Sequence, residues 1–84
     1  MYYIYILLSF KDNKFYIGFT KNLNQRLKQH KNGEVKSTRN RRPLRLIFYE
    51  AYLNKFDALR REKYFKTTKG KTTLRQMLKN FLKE

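Results

Sequence analysis

Two nearly neutral stretches alternate with two strongly basic ones along this chain, and that alternation constrains the fold more than any other feature. Residues 1–20 and 43–56 each carry a net charge of +1, whereas residues 21–42 carry +7 and residues 57–84 carry +6. The neutral stretches are also the ones dense in β-branched and aromatic residues, which suit a pleated surface. Strands should therefore form an inner layer, with the basic segments covering it and facing outward. The chain has no cysteine and one histidine, so neither a disulfide partner nor a Cys- or His-rich zinc site is available for reinforcement. Hydrophobic packing must hold one thin core, and 84 residues are read as a single domain spanning 1–84.

The run Tyr2 to Leu8 reads as a strand covered on both faces. Ser9 to Lys14 carries Asp12-Asn13 turn chemistry and leads to β character over Phe15–Phe19, which predicts a hairpin. Leu23, Leu27 and His30 recur at helical spacing behind the candidate caps Thr20 and Asn22. Gly33 stands where a helix end favours positive φ, so a helix over about 22–32 follows. A basic loop ending at Pro43 precedes a third strand over Leu44–Glu50. Asn54 followed by Asp57 resembles a capping box and opens a helix through about Lys66. Thr72 or Thr73 then caps a last helix, whose Leu74, Met77, Leu78, Phe81 and Leu82 form an apolar stripe. Leu78 and Phe81 are expected to be buried. The expected fold class is α+β, a small three-stranded sheet packed by helices in the order ββαβαα.

A net charge of +15 exceeds what solubility requires and points to a polyanionic partner. Fourteen aromatic residues and 40% hydrophobic content exclude a chain that never folds. The longest apolar run is too short to span a bilayer and lacks the flanks of a signal peptide, so the expectation is a cytoplasmic protein with no membrane partner. The apolar stripe of the last helix also allows a peripheral-membrane role, which core packing explains better.

Two groups of residues stand out. Tyr3 and Tyr5 share one face of the first strand, and Tyr16 and Gly18 one face of the second. If these faces meet, tyrosines crowd a glycine gap that a ligand backbone could approach; alternatively, Gly18 marks a bulge among ordinary strand tyrosines. Arg26 and His30, spaced i, i+4, project from one side of the first helix. Glu62 lies on the same side of its helix as Ala58, Leu59 and Phe65, where an unpaired carboxylate is costly. A salt bridge to Arg26 or a neighbouring lysine satisfies it, and so does a metal ion.

Taken together and in order, these residues resemble the GIY-YIG nuclease superfamily, in particular its small standalone bacterial members. The resemblance rests on Tyr3-Ile4-Tyr5, Tyr16-Ile17-Gly18, Asn22-Leu23-x-x-Arg26-Leu27-x-x-His30 and Ala58-Leu59-Arg60-Arg61-Glu62-Lys63. The basic run Thr38 to Pro43 is similar to that of the standalone subfamily. Tyr3 stands where the first motif carries glycine. The resemblance implies metal-dependent endonuclease activity, hydrolysing phosphodiester bonds in DNA with weak sequence specificity. Its relatives include the strand-cutting subunit of nucleotide excision repair, a link to DNA repair.

Residue by residue, the resemblance makes Tyr5, Tyr16, Arg26, His30 and Glu62 catalytic. Glu62 is the ligand of Mg²⁺ or Mn²⁺, Arg26 the catalytic arginine, Tyr16 the general-base candidate assisted by His30, and Gly18 the residue that lets the backbone pack closely. Lys36, Arg39, Arg41 and Arg42 would supply a nonspecific phosphate track. The alternative is a non-catalytic nucleic-acid-binding module in which Tyr3, Tyr5 and Tyr16 stack bases. Single-stranded, branched and duplex DNA are equally compatible with this reading.

Overall fold

The computed structural model describes residues 1–83. Three antiparallel strands, β1 (Tyr2–Ser9), β2 (Phe15–Thr20) and β3 (Leu44–Tyr52), form one sheet in the order β2-β1-β3. The first strand in the chain is therefore the central one, which explains why its sequence is apolar on both faces. Helices α1 (Leu23–Lys31), α2 (Lys55–Phe65), α3 (Thr68–Met77) and α4 (Lys79–Leu82) pack around the sheet. The α+β class and the order ββαβαα hold, with the last helix divided in two. No helix among the described residues is long and apolar enough to cross a membrane.

Alternation along β1 sends Ile4 and Ile6 to one layer and Tyr5 and Leu7 to the other. Ile4 and Ile6 join Ile17, Ala58, Phe65 and Leu74 in the main core beneath α2 and α3. Phe48, cross-strand from Ile6, meets Phe65 edge-on at 6.5 Å between ring centroids. The opposite face receives α1. A register shift between Ile6 and Leu7 leaves Ile47 as an extra residue on β3, so the sheet's bulge lies there and not at Gly18.

Local chemistry sets the element ends. Asn13 adopts φ 61° in the β1–β2 turn, and the Ser9 hydroxyl accepts the N–H groups of Lys11 and Asp12. Asn22 caps α1 by accepting the Gln25 N–H, and Gly33, at φ 76°, follows its C-terminal end. Asn54 caps α2 through the Phe56 N–H, while Asp57 lies 3.6 Å from Arg60.

The start of the last helix differs from expectation. Thr67 is its cap, accepting the Gly70 N–H, and α3 begins at Thr68. Thr72 and Thr73 instead lie inside α3, donating to the carbonyls of Thr68 and Lys69 one turn back. Gly70 permits the tight α2–α3 corner, because a Cβ there would strike the Tyr64 carbonyl. The apolar stripe breaks at Leu78, where the backbone leaves helical geometry (φ −106°, ψ 17°). Leu74 is consequently the fully buried residue of that stripe, whereas Leu78 and Phe81 are only half-buried. Phe81 has the Arg45 guanidinium 5.4 Å from its ring centroid.

Candidate active site

Pairing β1 with β2 places Tyr5 directly opposite Gly18, and Leu7 opposite Tyr16. The Tyr5 ring occupies the space that the glycine leaves, since a Cβ at position 18 would collide with the ring carbons and hydroxyl. The expected opening for a ligand backbone is thus filled by the chain's own phenol. Tyr5 is 0% exposed, so it has no free face on which a base could stack. Tyr16 lies beside it, with ring centroids 6.3 Å apart, and is partly exposed.

Helix α1 crosses this face and lays Arg26 and His30 against the two tyrosines. The Tyr5 hydroxyl lies 2.8 Å from His30 Nε2, and Arg26 Nε donates to the same hydroxyl at 3.4 Å. Arg26 Nη1 donates to Gln29 Oε1 at 3.0 Å. These contacts commit two of the five guanidinium N–H groups, and Tyr16 draws on the same cation. His30 meets Tyr16 only edge to face, at 5.2 Å between centroids. The hydrogen bond of His30 on this side thus goes to Tyr5, while Tyr16 touches only its ring. On its other side, His30 Nδ1 lies 2.7 Å from the hydroxyl of Thr38, itself fully buried.

The electrostatics follow from this crowding. Burial pushes the Tyr5 hydroxyl up to about 12, opposed by the Arg26 hydrogen bond and reinforced by Tyr16 and by the charge of Glu62. Burial, with the nearby Arg26 cation, pulls His30 down to about 4, so the ring is neutral at physiological pH. Arg26 is held more firmly in its charged form, first by the Tyr5 hydrogen bond and also by Tyr16.

Glu62 comes from α2, the layer across the sheet. Its carboxylate is 18% exposed and lies 3.4 Å from Lys66 Nζ, one helical turn on. Of the two salt bridges considered from sequence, the neighbouring lysine is the one formed, and Arg26 turns instead to Tyr5 and Gln29. Glu62 makes no direct hydrogen bond to Tyr5 among the described residues, but its charge is felt there. No cluster of three or more acidic or histidine side chains occurs among the described residues, and Glu62 is the carboxylate whose charge reaches Tyr5. One hard carboxylate fits a cation such as Mg²⁺ that keeps most of its own waters.

The four basic-loop residues separate into two kinds. Lys36 and Arg39 are exposed and make no side-chain hydrogen bond or ion pair among the described residues. Arg41 instead clasps the β1–β2 turn, with Nε 2.7 Å from Asp12 Oδ2 and Nη2 donating to the carbonyls of Lys14 and Phe15. Arg42 packs over Gly33 and donates to the carbonyls of Arg39 and Lys31. An open cavity of about 830 Å³ beside this loop has Leu7, Leu27 and Leu46 in its lining, Lys31 and Arg39 among its cations, and His30 on one wall.

Sequence reasoning missed two neighbours of these side chains. Thr38 stood in the basic run as one more polar residue, and only the folded chain places it against His30. Tyr49, cross-strand from Tyr5, is half-exposed and contacts Tyr3 at 6.2 Å between centroids. The pairing depends on the third-strand register, which hydropathy alone does not fix.

Several bacterial proteins resemble the chain over most of its length. A UPF0213 protein of Clostridium perfringens is 40% identical over 85 residues, covering 100% of this chain and 90% of its own length. Another, from Limosilactobacillus reuteri, is 47% identical over 68 residues, covering 77% of this chain and 70% of its own. The solution NMR structure of a UPF0213 protein from Bacillus halodurans superposes with a TM-score of 0.58 at 36% identity, over 92% of this chain and 85% of that one. Residues 1–76, which contain Tyr5, Tyr16, Arg26, His30 and Glu62, match the GIY-YIG catalytic domain, and the chain belongs to that family.

Proposed function

We propose that this protein is a divalent-metal-dependent endonuclease that hydrolyses phosphodiester bonds in DNA with weak sequence specificity. The observation that carries the reading is the guanidinium of Arg26, pinned by the Tyr5 hydroxyl and Gln29 on the same face as Tyr16. A planar cation held in this way is suited to bridge the non-bridging oxygens of a phosphate.

Each group then has a role its position supports. Arg26 binds the scissile phosphate and offsets the negative charge that grows on it during attack. Tyr16, half-exposed beside Arg26, is the tyrosine able to meet a water molecule. In the general-base role its oxygen takes the water's proton while the water oxygen bonds to phosphorus and the bond to the leaving oxygen breaks. Tyr5, fully buried and neutral, orients Arg26 and stays out of the proton transfer. Glu62 would hold Mg²⁺ or Mn²⁺, which when bound supplies Lewis acidity to the leaving oxygen. Lys36 and Arg39 extend the contact along the backbone without reading bases.

The test is cleavage of duplex, single-stranded and branched DNA with Mg²⁺, with Mn²⁺ and with EDTA. Nicking that requires metal and disappears in Arg26→Ala is the expected result. Metal-independent DNA binding with no cleavage of any substrate would leave a binding module in its place.

A further inference from the structure

Thr38 is fully buried, and its hydroxyl faces the one imidazole of the chain. Neutral His30 carries a proton on one ring nitrogen, and its two hydroxyl neighbours constrain which. If the proton were on Nε2, the ring would donate to Tyr5 Oη, which already accepts from Arg26 Nε. The Tyr5 proton would then lack an acceptor among the described contacts. With the proton on Nδ1, Tyr5 donates to Nε2 and Nδ1–H donates to Thr38 Oγ1. The one hydroxyl proton left over then belongs to threonine, a far weaker acid than a phenol, and the threonine oxygen is the better acceptor of the two.

We infer that Thr38 is a positioning residue that holds His30 in its Nδ1–H form and so orients an unbroken donor chain from Arg26 through Tyr5 and His30 to Thr38. The chain's polarity has a consequence for the site. Because Tyr5 donates its hydrogen bond to the imidazole, its oxygen lone pairs face Arg26 and fix the guanidinium. Reversing the tautomer would set Nε2–H against Arg26 in competition for the same oxygen. Besides the Thr38 hydroxyl, the titratable and charged groups facing His30 are Tyr5 on β1, Tyr16 on β2 and Arg26 on its own helix.

The inference rests on the nuclease reading for its effect on rate, but the tautomer can be read without any activity. Since His30 is the sole histidine, long-range ¹H–¹⁵N NMR of the imidazole reports one residue. Wild-type protein is expected to show the Nδ1–H pattern at pH 7, Thr38→Ser to retain it, and Thr38→Val to lose it. In cleavage, Thr38→Val should lower kcat by about 10- to 100-fold with KM little changed, and Thr38→Ser should restore most of the rate. An Nε2–H pattern in the wild type, or an unchanged Nδ1–H pattern in folded Thr38→Val, would overturn the inference. If Thr38→Val fails to fold, the wild-type and Thr38→Ser spectra still decide. Inactive wild-type protein with the expected tautomer would remove the nuclease reading and leave the donor chain standing.

Discussion

The ring of Tyr5 lies on the backbone of Gly18, its cross-strand partner, so the glycine of the second motif exists to seat a tyrosine of the first. Gly18→Ala would drive a methyl group into that ring. Overpacking of this kind costs about 1–3 kcal/mol. The displaced hydroxyl would release Arg26, so cleavage should fall more steeply than stability. Parallel urea melts and nicking assays check this, and equal losses in both would refute the seating role.

Glu62→Gln keeps the side-chain shape and removes the charge that a divalent cation needs. Cleavage should drop by at least about 100-fold, as when a charge-stabilising group is removed from other active sites. DNA affinity should hold or rise. Glu62 pairs with a largely exposed lysine and not with Arg26, so stability should change by no more than about 1 kcal/mol. A larger loss of stability together with lost binding would restore the structural reading of this carboxylate.

His30 should give stability a pH dependence whose sign follows from its burial. Its folded value, about 4, lies below the ordinary 6.5, so the unfolded chain binds a proton in a window where the native one does not. Stability contributed by the neutral ring is fully present above pH 6.5 and is lost as pH falls toward 4, by up to about 3 kcal/mol. Urea denaturation between pH 4 and 7 measures it. A profile that is the same in folded His30→Gln would assign the change to other groups.

The basic loop should divide by residue. Arg39→Ala and Lys36→Ala should each flatten the dependence of log Kd on log salt by about one unit while leaving the melting temperature alone. Arg41→Ala should lower the melting temperature, because its donors hold the β1–β2 turn. Salt titrations and thermal melts on the three variants separate the roles.

In the core, Leu74→Ala should cost about 2–5 kcal/mol, a large share of the stability of so small a domain. Phe81→Ala should cost less, since Phe81 keeps part of its surface in water. Chemical denaturation of the two variants checks the order.

How far the sequence could be read depended on how local the responsible chemistry is. The strands, the Asn22 and Asn54 caps and the turn at Gly33 were legible because short-range hydropathy and side-chain capping determine them. The start of α3 was not, because Thr67, Thr72 and Thr73 are all competent caps. What selects Thr67 is Gly70 fitting against Tyr64, a contact between two helices. Similarly, the spacing of Arg26 and His30 showed that they share a helix face. Whether His30 reaches Tyr5 or Tyr16 turns on strand register, and Arg41 looked like free surface charge because Asp12 is 29 residues away in sequence. Phe81 followed the periodicity, but the break at Leu78 moved it to the edge of the core.

The central position of β1 has a further consequence for how such a protein can change. Tyr5 is placed in the strand hydrogen-bonded on both sides, between Ile4 and Ile6 of the main core. Backbone amides there should exchange with solvent only when the whole sheet opens. The residue that orients Arg26 therefore belongs to the least forgiving part of the fold, and drift in the neighbouring core reaches the site directly. Change should therefore be tolerated first at exposed positions such as Lys36 and Arg39, which lie outside the contacts that hold the Tyr5 anchor.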